Sequence, residues 1–490
     1  MKANEGVSTD PELDPELDPE LDPEAALRSP AKRIVGVLFG VALLCAVAFV
    51  GQWFMNKAAV SAEDALEPIC EGVAGSSPEL EVFYSATLPT WFLATQTPGP
   101  VEIAAREAVL ASIPAELAGA VEEMATLRKT RPMREALERE YQLIDEWNAF
   151  NQANAIPWRL RLPMNPRVRE ASLFALSYCI AAQNVASAIG ASGPTEVPVL
   201  FAVRADQIGV VEGYSGHAQE IDREAFIIVD RLAETAANDL WPLFVAPDDA
   251  SSAMSIAWRE AVTTELAARL GPDTVEILQR TAADRRILTR LRAGLRDRSE
   301  CGATFVIQSI PLRGFTRDET DYWRNFASSS SAGGCRNFTF GELDEAAEAS
   351  ARLRDTRGLR GAVRELAALH ATNIAYHEVR HVLDRPDRPC ASCDLDESAV
   401  QELSAYLASF AAGPIPYAEA YEGCLLLQGR SRQHGRALRF AFSRLLPAGC
   451  DSPADGLAEA AKTLELELFG DSTEIEWSQA PPSSVRARAF

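Results

Sequence analysis

Tyr376-His377-Glu378-Val379-Arg380-His381 is the stretch on which the reading of this 490-residue chain turns. It lies within GLRGAVRELAALHATNIAYHEVRHVLD, Gly358 to Asp384, which contains no proline and is rich in Ala, Leu, Glu and Arg. That composition favours a helix, and Pro386 ends it soon after the motif. Residues four apart share a helix face, so His377 and His381 can offer two imidazoles to one Zn²⁺. Glu378, one position past the first imidazole, is where a general base would take a proton from water. The chain holds five histidines, and two of them fall at this spacing.

At 100° per residue, Val363, Leu366, His370, Ile374, His377 and His381 form one stripe, which directs the motif toward a domain interior. His370 lies two turns before His377, about 10 Å along the axis, too far to bind the same ion. It reads as a core histidine or a support for the site. For a third ligand three carboxylates compete: Glu402, Asp387 and Glu397. The run DESAVQELSAYLASFAAGP predicts a second helix, with Asp394 or Asp396 as N-cap and Gly413-Pro414 closing it. Projected, this helix has an apolar arc of Ala399, Val400, Leu403, Tyr406, Leu407 and Phe410. Glu402 borders the arc and Glu397 lies on the far side. A carboxylate at the edge of a buried face is costly unless paired or metal-bound, which favours Glu402. Twenty residues separate His381 from Glu402, room for two consecutive helices and a loop.

The segment 374–412 resembles the active-site helices of the zincins, the HExxH zinc metallopeptidases. Ile374, Val379, Val382 and Leu383 fit the wider apolar pattern, whereas Arg380 departs from the uncharged central pair. Gln401-Glu402 and the ELSAY run look like the ligand helix of the gluzincin, thermolysin-like branch. The rival alignment sets HEVRHVLDRPD against the metzincin pattern, with Asp387 as third ligand and Asp384 where that pattern has glycine. The gluzincin resemblance implies Zn²⁺ on His377, His381 and Glu402, with Glu378 as general base. It also implies a later His or Tyr that stabilises the transition-state oxyanion, and His434 and Tyr406 are the candidates; Asp384 could orient His381. A twisted sheet should precede the motif helix, with its edge strand beside the cleft.

Asp10 to Glu24 repeats Asp-Pro-Glu-Leu and reads as a disordered acidic tail. Ile34 to Phe54 follows, 21 residues without charge, about 31 Å as a helix and enough to span a bilayer. Arg28, Lys32 and Arg33 precede it and only Lys57 follows before a run of acids, so the positive-inside rule puts residues 55–490 outside the cytoplasm. Cleavage after Val60-Ser61-Ala62 is the alternative to an uncleaved anchor. Of nine cysteines, one lies in the span. The rest suit up to four disulfides in an oxidising compartment, with 301–335 and 424–450 as simple loops and Cys390/Cys393 between the two ligand helices. The expected location is a bacterial inner membrane, with the N-terminus cytoplasmic and the catalytic domain periplasmic.

The expected organisation is a tail at 1–33, a transmembrane helix at 34–54, a linker at 55–75 and a helical region at 76–194. A zincin-like domain at 195–455 and a C-terminal helix and frayed tail at 456–490 complete it. The expected fold class is α+β, mainly helical with a small twisted sheet. Pro114–Phe150, Val168–Ala188 and Ser252–Arg296 read as helices. Val197–Val203, Ile208–Val211, Phe226–Val229 and Thr304–Ile310 read as strands, and Ser328–Gly334 as a loop or lid. Asn337-Phe-Thr339 matches a glycosylation sequon. The net charge of −23 disfavours nucleic acid and anionic lipid headgroups as partners. No Gly-rich phosphate loop or Gly-x-Ser-x-Gly elbow occurs. The expected function is therefore an anchored zinc metallopeptidase cleaving a peptide or protein of the envelope. The alternatives are an inactive zincin-fold sensor or assembly protein, and a zinc amide hydrolase acting on cell-wall material.

Overall fold

The computed structural model describes residues 68–484, apart from 94–99, 131, 164–174, 191–192, 206–215, 220–222, 246–255, 298–313, 330–337, 385–389, 391 and 428–432. The expected tail and span (1–54), the strands at 208–211 and 304–310, most of the 328–334 loop and the sequon asparagine lie outside them. No helix among the described residues is long and apolar enough to cross a membrane.

After helical turns over 78–93, the chain forms α1 (Pro100–Ser112), α2 (Ala115–Thr130) and α3 (Met133–Ala153), with Pro132 separating the last two. The sheet follows: β1 (Trp158–Arg161), β2 (Leu176–Gly190), β3 (Gly193–Arg204), β4 (Gly216–Gln219) and β5 (Glu224–Ile228). Their spatial order is β1-β2-β3-β5-β4. β3 and β5 are parallel and the other pairs antiparallel, so the sheet is mixed. Helices then dominate: α4 (Val229–Thr235), α5 (Ile256–Arg269), α6 (Pro272–Asp297), α7 (Arg317–Ser329), α8 (Phe340–Arg354), α9 (Leu359–Leu383), α10 (Glu397–Ala412), α11 (Pro416–Leu427), α12 (Gln433–Leu445) and α13 (Leu457–Phe469). A last strand, β6 (Ile475–Trp477), returns to pair with β2. The class is α+β, mostly helical with a small mixed sheet.

Three expectations are corrected. The described part of the expected helix Val168–Ala188 is not helical, because from Leu176 on it belongs to β2. Its alanines favour helix in isolation, but twelve register pairs with β3 and further pairing with β1 and β6 override that preference. The expected boundary at 194/195 cuts the β2–β3 hairpin, and the chain from Ala65 to Phe490 forms one compact unit. The linker and the tail are also shorter than expected. Ile69 and Cys70 are buried, and a disulfide joins Cys70 to Cys179 at the start of β2. At the other end β6 is in the sheet, and Asn184 of β2 exchanges hydrogen bonds with the Gln479 backbone.

The sheet alternates between two buried faces. Val197, Val199, Phe201, Val203, Ala225 and Ile227 join the main core with the helices, while Leu176, Tyr178, Leu200, Phe226 and Ile228 form a second cluster. α9 crosses the first face against β5 and β4 and is also packed by α4, α6 and α10. It is consequently buried nearly all round, and the apolar stripe expected from the sequence is only one side of it. Gly413 ends α10 where a Cβ would sit 2.4 Å from Asn373 Oδ1 of α9. Only glycine permits so close an approach of these two helices.

Candidate metal centre

Two consecutive helices build the site. α9 carries His377, Glu378 and His381. α10 begins at Asp396, whose side chain accepts from the Ala399 N–H, and carries Glu402 one and a half turns in. The imidazole Nε2 atoms of His377 and His381 lie 3.1 Å apart, and Glu402 Oε2 is 3.5 Å from the first and 3.7 Å from the second. Ligand atoms about 2.0–2.1 Å from a tetrahedral ion stand about 3.3 Å from one another, so this triangle has the edges that such an ion requires. Glu402 Oε2 supplies the second sign of fit. It is buried among the imidazoles of His377, His381 and His434, a setting in which a carboxylate needs a cation beside it. These three residues could hold a metal ion.

Of the two rival carboxylates one is described. Glu397 is exposed in the first turn of α10, and Asp387 lies outside the described residues. Asp384 Oδ1 lies 2.7 Å from Arg380 Nη2, and its charge also acts on His381. His434, at the start of α12, does reach the site. Its Nδ1 is 3.0 Å from Glu402 Oε2 and 3.1 Å from the Tyr406 hydroxyl, and its ring is about one-third exposed. The loop between the ligand helices carries the Cys390–Cys393 disulfide, and Cys424–Cys450 joins α11 to the turn after α12. Cys301 and Cys335 lie outside the described residues.

The electrostatics separate the members of the site. Burial pushes His377 down to about 4, so it is a neutral imidazole with a lone pair to give. Burial pushes the Glu378 carboxyl up to about 7, against the opposing pull of His381. Burial would also raise Glu402, but the three imidazoles around it hold it well below the ordinary carboxylate range. His434 is raised chiefly by Glu402, and burial with the nearby carboxylates lifts the Tyr406 hydroxyl well above its ordinary value. The arrangement combines a neutral imidazole, an anion, a carboxyl that exchanges a proton near neutrality and, beside the anion, the His434 imidazole and the Tyr406 hydroxyl.

Two residues with a part in the site escape a reading of the sequence. Arg161 of β1 acts electrostatically on Glu378, and its guanidinium lies 4.2 Å over the Phe226 ring. Nothing in the four residues of β1 distinguishes it from any other polar strand position. Arg380 is visible in the motif as an anomaly, but its role is not. Its side chain turns away from the histidines to pair with Asp384 and to donate to Ser404 Oγ of α10 and Thr473 Oγ1 beyond α13. It is a buried strut between the two ligand helices and the C-terminal segment.

No protein-family model, curated protein or solved structure matches this chain.

Proposed function

We propose that this chain is a membrane-anchored zinc metallopeptidase that hydrolyses peptide bonds outside the cytoplasm. The observation that carries the reading is the convergence of His377, His381 and Glu402 at metal-ligand spacing beside the buried carboxyl of Glu378. A zinc ion held there supplies Lewis acidity, polarising a substrate carbonyl and acidifying a water. Glu378 accepts the proton of the attacking water on its carboxylate and returns it to the leaving nitrogen, a role for which a pKa near neutrality is suited. The partly exposed His434 imidazole and the Tyr406 hydroxyl beside it would donate to the oxyanion as it develops. β4 is the last strand of its edge among the described strands and packs beside α9. An extended substrate added to that edge would lie along the motif helix. Because Arg380 is turned away from the metal ligands, its charge does not oppose a bound cation, and this supports a catalytic role.

The anchor is the uncharged run 34–54 with its basic leading flank. The three disulfides among the described residues accord with a periplasmic location. Substrates would then be peptides or proteins of the envelope. The test is hydrolysis of a casein-type substrate by the full-length, zinc-loaded protein in detergent. Glu378→Gln should abolish turnover, by 10²-fold or more, while leaving the zinc content of the His377/His381/Glu402 site unchanged. Full activity in that variant would remove the reading. Turnover of peptidoglycan without proteolysis would replace it with an amide hydrolase of the cell wall.

A further inference from the structure

His370 lies on the same helix as the metal-centre histidines but faces a different neighbour, α11. That helix is apolar (Pro-Tyr-Ala-Glu-Ala-Tyr-Glu-Gly-Cys-Leu-Leu-Leu) except for Glu419 and Glu422, three residues apart and so on one face. One ligand atom from each of His370, Glu419 and Glu422 lies within 4.8 Å of the others. His370 is 1 % exposed, Glu419 5 % and the Glu422 side chain 13 %, so the cluster is interior, not a solvated acidic face.

The cluster gathers two carboxyl groups around one imidazole. His370 Nδ1 lies 3.3 Å from the carbonyl oxygen of Leu232, a pure acceptor, so Nδ1 carries the proton. Nε2 lies 2.9 Å from Glu422 Oε2; against the cost of burial the neighbouring carboxylates raise His370 to about 9, so without an ion this nitrogen holds a proton that a bound metal would replace. A backbone acceptor that fixes the far nitrogen and aims the near one at a carboxylate is how proteins orient a metal-binding imidazole. Glu419 Oε2 takes one hydrogen bond from Asn373 Nδ2, and Asn373 is itself fixed by the Ile415 N–H on its Oδ1. Glu422 Oε1 is buried and receives no donor at all. A proton on His370 offsets one carboxylate and burial beside Glu422 pushes Glu419 up to about 7, yet Glu422 Oε1 still lacks the partner that an ion would give it.

We propose that His370, Glu419 and Glu422 bind a second divalent transition-metal ion, which ties the catalytic helix α9 to α11. One imidazole nitrogen with carboxylate oxygens is a donor set suited to Zn²⁺ or Mn²⁺ and not to an ion held by oxygen alone, such as Ca²⁺. The seven residues from His370 to His377 span about 10 Å of helix. The two ions are therefore independent and not a bridged pair, whose members stand about 3.5–4 Å apart. The second ion acts as a structural clamp that fixes the first half of α9, and it does not depend on the peptidase reading of the first.

The experiment is zinc binding to the metal-free, full-length protein in detergent, measured by chelator competition and calorimetry. Wild type should bind two equivalents. Glu422→Gln, which keeps the side-chain shape, and His370→Ala should each bind one. His381→Ala, which removes a ligand of the first site, should also bind one, and zinc should raise its melting temperature. That rise should vanish when Glu422→Gln is added to His381→Ala. A single equivalent in wild type that is abolished by His381→Ala would overturn the proposal and leave a protonated His370–Glu422 pair. A single equivalent kept by His381→Ala and lost with Glu422→Gln would uphold it while removing the first site.

Discussion

Arg380 occupies the position in HEVRH where a charge is least expected, and its surroundings explain why it is tolerated. It is 2 % exposed and pairs with Asp384, also 2 % exposed, one turn further along the helix. Ser404 and Thr473 satisfy its other nitrogens, and Glu465 in turn accepts from the Thr473 backbone. A buried ion pair of this kind adds little net stability, but breaking it leaves a charge without a partner. Arg380→Leu should therefore destabilise the protein by about 3–5 kcal/mol, and Arg380→Leu with Asp384→Leu should recover part of that loss. Urea denaturation of the two variants measures both. If the double variant proves no more stable than the single one, the pair is not the reason for the cost. At this scale the residues that could hold a metal ion were legible and the role of Arg380 was not. His377, His381 and Glu402 follow from helical spacing and the cost of a carboxylate at an apolar edge, which are local properties. The partner Thr473 lies 93 residues beyond Arg380, and no local pattern carries that information.

Among the elements, α11 shows how a helix start can depend on a distant acid. Pro416 gives its first position no N–H, and the next two N–H groups, of Tyr417 and Ala418, each donate at 3.0 Å to the two oxygens of Glu265 on α5. Burial nevertheless pushes that carboxyl up to about 7. A carboxyl whose folded-state pKa exceeds its unfolded value stabilises the fold most below the unfolded value, and that contribution is lost as pH rises through the folded one. The stability advantage of wild type over Glu265→Gln should therefore shrink between about pH 4.5 and 7. Paired thermal melts across that window measure it, and an advantage that grows with pH would refute the assignment. The helices themselves were largely readable: α9, α10 and the Asp396 cap follow from composition, periodicity and breakers. β2 was not, because its alanines lean toward helix and its strand identity comes from the β3 partner. The acidic pair of α11 was a visible signal, two charges on an otherwise apolar helix, but its meaning required His370 opposite.

Across the whole molecule, the two ends of the compact unit are fastened to the same strand. Cys70 is linked to Cys179 in β2, and β6 pairs with Ala186–Ala188 of β2 near the other end of the chain. Trp477 of β6 also donates to the Tyr376 hydroxyl, directly before the motif. The Cys70–Cys179 bridge closes a separation of 109 residues, whereas Cys390–Cys393 closes three. Loop-closure entropy then predicts that Cys70→Ala with Cys179→Ala costs about 2–5 kcal/mol and the Cys390/Cys393 pair of alanines much less. Thermal melts of the two double variants rank them, and a larger loss for the short loop would contradict the prediction. The division into units did not emerge at the level of sequence, because a hairpin crosses the expected boundary.

The central claim is a zinc ion on three named atoms, and zinc-edge anomalous diffraction from crystals of the zinc-loaded protein tests it most directly. The account predicts an anomalous peak about 2.0–2.2 Å from His377 Nε2, His381 Nε2 and Glu402 Oε2, retained in Glu378→Gln and absent in His381→Ala. No peak between α9 and α10 in the wild-type protein, with the three side chains placed as here, would contradict it.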